Sequence, residues 1–456
     1  MDQLLFFSFF LLLGVLYFFI GYWVSRGVKS VEDYYLADRN LGIFPISISL
    51  IATQLGGGFI LGTSEKAYQY GLFGLLYILG ICAGFLLLAS GIAGKLRALN
   101  IATTAQIFQI KYNSVLLKQI ASICSILSLG GIFAAQVVGS KTLLTALNVY
   151  NPFIFIVFWM LIILYAMLGG LQAIVKSDVV QLSLIIIVFV CLFLYDIITS
   201  GSQNTGFWAL ASQNLQTGFN TSSQIATILI MPALYSLIEQ DLAQTFFAAR
   251  TTRIALTGAF IAAFFLLAFA CIPLYFGVKT KLLALPVMLH ANPLMSYFSA
   301  NYSSTALALV TYGVFAAIIS TANAVLCAVS GNLVQDFELA QISPRHKLLV
   351  CRTVTLSVGI IGLFVSFYYT DLLKLLVDSY AVPVTALLVS LLVAFYSTDK
   401  LSRIAAYLSV FTGLFLFIIL TSLDKALIIA PAIDALLLSA VSYIIGLLLD
   451  LHKNKK

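Results

Sequence analysis

Charged residues are scarce in this sequence. Of its 456 residues, only 9% are Asp, Glu, Lys or Arg, and 61% are hydrophobic. Soluble domains typically contain about 25% charged residues. No polar segment is long enough for a soluble kinase, nucleotide-binding or DNA-binding domain. The composition therefore excludes a soluble enzyme and predicts a chain that lies mostly in a membrane.

Cysteine and histidine patterns typical of metal sites are also missing. The six cysteines lie in or beside apolar runs without a Cys-x-x-Cys spacing, so we interpret them as small core residues. His290, His346 and His452 are far apart and share no ligand spacing. No transition-metal centre is predicted.

Thirteen apolar runs are long enough for transmembrane helices, each of which needs about 20 residues. The first run follows Asp2 and Gln3 without a basic segment, so we expect a retained span and not a cleaved signal peptide. The sequence predicts an all-α polytopic membrane protein with a single transmembrane domain over residues 1–456. The predicted helices cover residues 4–24, 45–71, 72–94, 117–147, 152–171, 178–200, 223–249, 254–277, 304–335, 349–369, 372–396, 402–421 and 426–450.

Basic residues are distributed unevenly between alternate loops. With the N-terminus outside, 18 of the 24 Lys and Arg residues fall on the inner side. Because positive charge concentrates in cytoplasmic loops, we expect a multi-pass protein of the plasma (inner) membrane with a cytoplasmic C-terminus. The net charge of +7 is then mostly a signal of topology. The dispersed basic residues form no patch, so the lipid bilayer is the expected surrounding and no nucleic-acid partner is predicted.

Two predicted helices contain residues that disfavour a continuous helix. The second carries Gly56–Gly58, and the seventh carries Pro232 followed by Glu239 and Asp241. Each glycine lowers helix stability by about 1 kcal/mol, and irregular backbone at membrane depth is tolerated only beside protein or a water-filled cavity. The glycines therefore predict local unwinding. Close packing of small residues is the alternative explanation.

The spacing of these breaks indicates an internal repeat. Helices 2–6 and 7–11 each begin with a broken helix, and the odd number of helices places the second block in the opposite orientation. Inverted repeats whose broken helices meet at the midplane are typical of secondary transporters. The repeats are predicted over residues 45–200 and 223–396, flanked by an extra helix at 4–24 and two C-terminal helices at 402–450.

The ninth predicted helix carries the adjacent hydroxyls of Ser320 and Thr321 in an otherwise apolar run. Sodium is a hard cation that suits oxygen ligands. Hydroxyls and freed backbone carbonyls can supply them without a buried countercharge. The alternative is that each hydroxyl bonds the carbonyl four residues earlier.

Five ordered motifs between about residues 30 and 400 resemble those of the sodium:solute symporter family. They are the segments 36–42, 62–71, 169–181, 247–249 and 320–321. The resemblance implies a LeuT-type fold with a five-plus-five inverted-repeat core. It also implies transport coupled to the sodium ion, and no enzymatic activity.

The resemblance further implies a sodium site. Its ligands are three backbone carbonyls and two hydroxyls, from Ala52, Leu55, Ala317, Ser320 and Thr321. Asp178 matches an acidic residue that lies on the sodium exit path or in a second sodium site, to which Asn323 is a further candidate. A helix cap formed with Ser177 is the alternative role of Asp178. Gly56 offers no hydroxyl where some relatives have one, so the sodium stoichiometry stays open.

Within the family, Gly56–Gly58 and the segment 62–65 most resemble the choline-transporter-like branch. Choline relatives surround their substrate with tryptophans, as cation–π recognition requires. The matching positions here are Gln54, Phe133 and Glu239. Proline-type relatives have an aspartate at the position of Gln54, and sugar-type relatives have a carboxylate at that of Ile78. The resemblance therefore does not transfer a substrate.

Polar and aromatic residues near the breaks are the candidates for substrate binding. They are Gln54, Phe59, Tyr77, Phe133, Gln136, Tyr235, Ser236 and Glu239, with Asn323 as a further lining residue. An ionisable residue in a membrane is a functional hypothesis by default. Glu239 therefore favours an amino acid or a small amine as substrate. The alternative is an inner-gate ion pair between Glu239 and Arg250 or Lys176.

The leading hypothesis is a sodium-coupled symporter that imports a small polar organic solute by alternating access. The alternative is a membrane sensor or transceptor with the same fold and no kinase domain. A channel would need a filter motif, and an enzyme would need a catalytic set at membrane depth; neither is found in the sequence. The oligomeric state stays open.

Overall fold

The computed structural model describes residues 25–200, 206–213, 222–285, 292–342, 346–368, 372–397, 401–423 and 425–453, with scattered positions between 12 and 23. These residues form helices and no β-strand, apart from one isolated bridge between Leu41 and Ala249. The predicted helix 4–24 lies largely outside the described residues, as does His290.

The described part of the chain contains 19 α-helices, several of them joined by short 3₁₀ or π turns. In chain order they are α1 Val31–Leu36, α2 Ile43–Gln54, α3 Thr63–Tyr70, α4 Leu76–Leu87, α5 Ala93–Ala98, α6 Ala105–Tyr112, α7 Val115–Ala146, α8 Pro152–Ser200, α9 Phe207–Gln213, α10 Ser222–Tyr235, α11 Gln240–Ala248, α12 Thr252–Leu282, α13 Pro293–Asn301, α14 Ser304–Asp336, α15 Leu339–Ile342, α16 Lys347–Ser366, α17 Leu372–Tyr396, α18 Arg403–Ser422 and α19 Pro431–Lys453.

Ten helical segments among the described residues are long and apolar enough to cross a membrane, so the predicted number of thirteen is not confirmed. The second predicted helix is interrupted, which leaves α2 with only 12 residues. The segment 58–98 runs as one long helical stretch from the second half of that helix through the third. The predicted helices 152–171 and 178–200 correspond to the two parts of α8, which meet at Gly170.

Gly170 is the point at which α8 turns. Its φ of +55° and ψ of −154° are the non-helical values inside this element, and a positive φ is readily adopted only by glycine. A side chain there would also clash with the backbone oxygen of Tyr34. The hydroxyl of Tyr34 donates to the carbonyl of Met167 at 2.9 Å, so α1 packs directly on the turn.

The centre of the bundle is α14. The most apolar stretch of this helix is completely buried, and the helix packs against α7, α8 and α2. On the other side of α7, α17 packs against α7 and α10. The α2 helix, which precedes the first break in sequence, and α11, which follows the second, both pack against α14, the helix that carries the predicted hydroxyl ligands.

A buried ion pair joins three elements at one end of the bundle. Lys279 Nζ on α12 lies 2.5 Å from Asp196 Oδ2 on α8. Three tyrosine hydroxyls also donate to this carboxylate, from Tyr275 at 2.8 Å, Tyr297 at 2.5 Å and Tyr302 at 2.8 Å. Tyr297 belongs to α13, a helix that the sequence analysis did not predict. Asp196 therefore ties α13 and α12 to the end of α8.

Candidate functional site

The second predicted helix is interrupted at the glycines. The α2 helix ends at Gln54, and the chain resumes with a π turn over Gly58–Gly62. The N–H groups of Phe59 and Ile60 both donate to the Gly56 carbonyl, at 3.1 and 3.2 Å. Of the backbone hydrogen bonds that the described residues make at this break, none ends on the carbonyl oxygen of Ala52 or Leu55. Ala52 lies in the last turn of α2 and Leu55 directly follows the helix, where carbonyls have no partner further along it. Both carbonyls are therefore candidate ligands for a cation.

Thr321 contacts this break directly. Its hydroxyl donates to the carbonyl of Thr53 at 2.7 Å and to that of Ala317 at 3.2 Å. A Cβ atom at Gly56 would lie 2.6 Å from Thr321 Oγ1, which is too close for a side chain. A glycine at position 56 therefore permits α14 to approach the break. Of the five predicted sodium ligands, Ala52, Leu55, Ala317 and Ser320 are fully buried, and Thr321 is 7% exposed.

Asp178 joins α2 to α14. Its carboxylate accepts hydrogen bonds from Ser49 Oγ at 2.7 Å and Ser320 Oγ at 2.6 Å. It lies inside α8, beyond the turn at Gly170, and the Ser177 hydroxyl instead donates to the carbonyl of Ile174 at 2.9 Å. The cap alternative for Asp178 is therefore not observed. The Ser320 hydroxyl makes no hydrogen bond to a carbonyl of its own helix. The Thr321 hydroxyl makes one, to Ala317, besides its contact with Thr53.

Asn323 lies one turn beyond Ser320 on α14. It is fully buried, and neither of its side-chain polar atoms has a hydrogen-bond partner among the described residues. A buried amide normally has partners. Its place beside Ser320 makes it a candidate for contact with an ion.

The site is rich in oxygen and negative in charge. The ion pairs of the described residues join Arg39 to Glu32, Lys118 to Glu338 and Lys279 to Asp196, so no basic side chain neutralises Asp178. Carbonyl, hydroxyl and carboxylate oxygens are the ligands that hard cations take. The residues present therefore suit sodium.

The seventh predicted helix is also broken, although not at its proline. Pro232 lies within α10, and the interruption follows Tyr235. Glu239 sits in this interruption and is 6% exposed. Gln54 Nε2 lies 3.4 Å from each of its carboxylate oxygens. The two breaks therefore face each other across the site.

The inner-gate alternative for Glu239 is not seen in this structure. Arg250 Nε instead donates to Asn40 Oδ1 at 2.8 Å, and Lys176 is exposed. Glu239 is thus a buried carboxylate without a basic partner among the described residues.

Three tyrosines enclose the region next to Glu239. The rings of Tyr235 and Tyr380 stack with centroids 4.5 Å apart, and the hydroxyls of Tyr77 and Tyr380 lie 2.8 Å apart. Ser128 Oγ donates to the Tyr235 hydroxyl at 3.1 Å. This tyrosine cluster connects α4, α10, α17 and α7.

The remaining predicted substrate residues contact neighbouring side chains or backbone. Phe59 lies 6.3 Å from Phe269 between ring centroids, and Phe133 meets Trp159 edge to face at 5.6 Å. The hydroxyl of Ser236 donates to the carbonyl of Pro232 in its own helix at 2.9 Å. Gln136 is different, because its Oε1 accepts from the N–H of Gly57 at 3.0 Å and so holds the glycine break.

Sequence reasoning missed Ser49, Ser128 and Tyr380. Ser49 is a polar residue in an apolar run, a signal that was available. Tyr380 is one of 22 tyrosines and has no distinguishing sequence context. Its role follows only from the packing of α17 against α10.

A polar clamp closes one end of the site. Gln240 Oε1 accepts from the N–H and the hydroxyl of Thr104 at 2.7 and 3.0 Å, and its Nε2 donates to the Ala102 carbonyl at 3.1 Å. Between this clamp and Tyr235 lies a small cavity, also lined by Ser125, with room for about one water molecule. Little free space therefore remains between Gln240 and Tyr235.

A sequence profile of the sodium:solute symporter family matches residues 34–413. Among solved structures, the chain is similar to a Na⁺-coupled sialic acid symporter in a substrate-bound outward-open state. That comparison has a TM-score of 0.81 and 16% identity, and covers 98% of this chain and 96% of the other. The chain is also similar to MHP1, a nucleobase-cation-symport-1 family transporter in a closed conformation with bromovinylhydantoin bound, with a TM-score of 0.60, 13% identity, and coverage of 90% and 94%.

Both structural likenesses concern the fold, and they agree with the expected LeuT-type architecture. The family profile covers most of the chain. The chain therefore belongs to the sodium:solute symporter family, and it is a multi-pass membrane protein that performs sodium-coupled transport and is not an enzyme.

Proposed function

We propose that the protein imports a small amine or an amino acid together with sodium by alternating access. The observation that carries this proposal is Glu239, which lies buried in the break between α10 and α11 and has no basic partner among the described residues. A buried carboxylate is costly unless a cation or hydrogen bonds compensate it. A substrate ammonium group supplies both.

The tyrosine cluster supports a cationic substrate. Tyr235 and Tyr380 are close enough to Glu239 to interact with it electrostatically, and aromatic rings attract cations. Gln54 already donates to Glu239. The amide of Gln54 holds the carboxylate when no ammonium group is bound.

The sodium ion is proposed to bind between the glycine break and α14. The carbonyls of Ala52, Leu55 and Ala317 and the hydroxyls of Ser320 and Thr321 are its proposed ligands. A hydroxyl has one proton and two lone pairs. Ser320 donates its proton to Asp178, so its lone pairs remain for the cation.

A second ion position is proposed at Asp178 and Asn323. Asp178 supplies negative charge beside Ser320, and Asn323 has an unpaired buried amide. The same residues suit an exit path for the ion that binds at Ser320 and Thr321. This proposal leaves the stoichiometry to direct measurement.

The proposed orientation places the N-terminus outside and the C-terminus in the cytoplasm of the inner membrane. The support is the asymmetry of the basic residues. The clamp formed by Gln240 then lies on the cytoplasmic side of Tyr235, where substrate would leave during import.

Uptake into proteoliposomes tests the function. Purified protein is reconstituted, and accumulation of radiolabelled amines, amino acids and sugars is measured with an inward gradient of sodium or of potassium. We expect accumulation of an amine or amino acid that requires sodium. Uptake of a neutral sugar, or equal uptake with potassium, would overturn the proposal.

The double variant Ser320→Ala/Thr321→Ala tests the ion site in the same assay. We expect its sodium requirement to rise or its uptake to vanish, because two ligands are lost. Ser409→Ala/Ser439→Ala is a matched control, because it also removes two buried hydroxyls, which bond each other at 2.8 Å between α18 and α19.

A further inference from the structure

Gln181 is a buried amide without hydrogen-bond partners. Its side chain is fully buried on α8, and neither Nε2 nor Oε1 has a partner among the described residues. Buried polar groups are normally hydrogen-bonded, because an unpaired amide loses its hydration without compensation. The proposed sodium and substrate sites include no role for this side chain.

The register of α8 against α14 locates Gln181. Asp178 contacts Ser320, and Phe189 packs against Gly313, where a Cβ atom would lie 3.0 Å from the phenylalanine ring. Residue numbers rise along α8 as they fall along α14, so the helices are antiparallel. Gln181 therefore lies between the levels of Ser320 and Gly313, which is where Ala317 is found.

The same helix face carries Asp178 and Gln181. Residues three apart on a helix are neighbours on its surface, so Gln181 is directed toward α2 and α14 as Asp178 is. On α2, Ala52 is likewise one turn beyond Ser49, the residue that contacts Asp178. The unpaired amide thus lies at the level of two carbonyls that are proposed sodium ligands.

We infer that Gln181 is a further residue of the sodium site, with its amide oxygen as a ligand beside the carbonyl of Ala317. The inference rests on the sodium site proposed above. An amide oxygen is a hard neutral ligand of the kind that such cations accept. Sodium binding supplies the partner that the buried amide lacks in the empty site.

Melting temperatures of the purified full-length protein test this inference without any substrate. The protein is titrated with NaCl, with KCl added to keep the ionic strength constant. Gln181→Leu removes the oxygen and keeps the approximate volume. We expect the sodium concentration that gives half of the stabilisation to rise about tenfold or more.

The same variant has a second signature. Removing a buried amide that has no partner leaves the sodium-free protein as stable as the wild type or more stable. Gln181→Glu keeps an oxygen at the same position, so it should retain stabilisation by sodium. Ser390→Ala is a matched control, because it removes another buried side chain without a described partner, on α17, and should leave the sodium midpoint unchanged.

Several outcomes would overturn the inference. One is a Gln181→Leu protein that melts lower without sodium and keeps the wild-type sodium midpoint, which would show a packing role. If Gln181→Leu does not fold, loss of sodium stabilisation in Gln181→Ala with recovery in Gln181→Glu supports the inference, and unchanged sodium response in Gln181→Ala overturns it. A wild-type protein that sodium stabilises no more than potassium does would instead refute the proposed sodium site, and this inference with it.

Discussion

The side-chain amide of Gln54 lies within 3.4 Å of both carboxylate oxygens of Glu239. This contact connects the interrupted second helix to the interrupted seventh helix. Both residues occupy helix ends, where side chains reach the space that the missing helical turns leave open. A ligand that binds one of the two residues therefore displaces or recruits the other.

Glu239→Gln removes the charge and keeps the size of the side chain. If Glu239 holds a substrate ammonium group, binding of amines should weaken by about tenfold or more, because a charge-assisted hydrogen bond is worth about 1.5–3 kcal/mol. Binding of neutral solutes should change little. Affinities from competition uptake check this expectation, and preserved amine affinity with altered turnover would show a gating role.

Gly56→Ala places a methyl group 2.6 Å from the Thr321 hydroxyl. Thr321 must then move away from the carbonyl of Thr53, so sodium-dependent stabilisation and uptake should fall together. Gly130→Ala is the matched control, since a Cβ atom there has nothing within 4 Å. It should stabilise helix α7 by about 1 kcal/mol. If sodium stabilises the two variants equally, Gly56 does not contribute to the ion site.

The buried pair of Asp196 and Lys279 predicts a non-additive effect on stability. Asp196→Asn or Lys279→Met alone leaves one buried charge unpaired, which costs about 3–5 kcal/mol. The double variant should recover much of this loss. Melting temperatures of the three variants measure the coupling, and strictly additive losses would contradict it. Glu32→Gln is the control, because its partly exposed ion pair with Arg39 should contribute at most about 1 kcal/mol.

Gln240→Leu removes the three hydrogen bonds that hold the segment 102–104. We expect the small cavity between Gln240 and Tyr235 to open more often. Labelling of Ser125→Cys by a maleimide should then be faster, measured after the exposed Cys191 and Cys271 are replaced by Ser. Gln109→Leu on α6 is the control and should leave the rate unchanged. An unchanged rate in Gln240→Leu would mean that the clamp does not limit access.

The sequence revealed those site features that differ in composition from an apolar helix. Gly56–Gly58, Glu239 and the pair Ser320–Thr321 each interrupt a hydrophobic run, so their positions were predictable. Tyr380 was not, because its role depends on which helix face meets which neighbour. Gln181 ends the motif 169–181, but its role depends on the same packing. In a membrane protein nearly every helix face is apolar, and hydrophobic periodicity therefore gives little information on contacts.

The fold was predictable in outline, but the ends of helices and the turns between them were less predictable. Lys176, Ser177 and Asp178 are polar, and this predicted an interruption between the fifth and sixth helices. The structure continues α8 through them because Asp178 has buried partners on α2 and α14 and Lys176 reaches the surface. Ser177 accepts a hydrogen bond from Tyr165, in the part of α8 before Gly170. The turn occurs earlier, at Gly170. Local polarity alone did not show whether such partners existed.

The hydrogen bond from Thr321 to the Thr53 carbonyl joins α14 to α2. An ion bound there would hold the same two helices, and thermodynamic reciprocity then applies. A ligand, lipid or antibody fragment that binds better when α2 and α14 are further apart weakens sodium binding by some factor. Sodium must then weaken the binding of that molecule by the same factor. An inhibitor of this transporter thus need not touch the ion site, since holding those helices apart is sufficient.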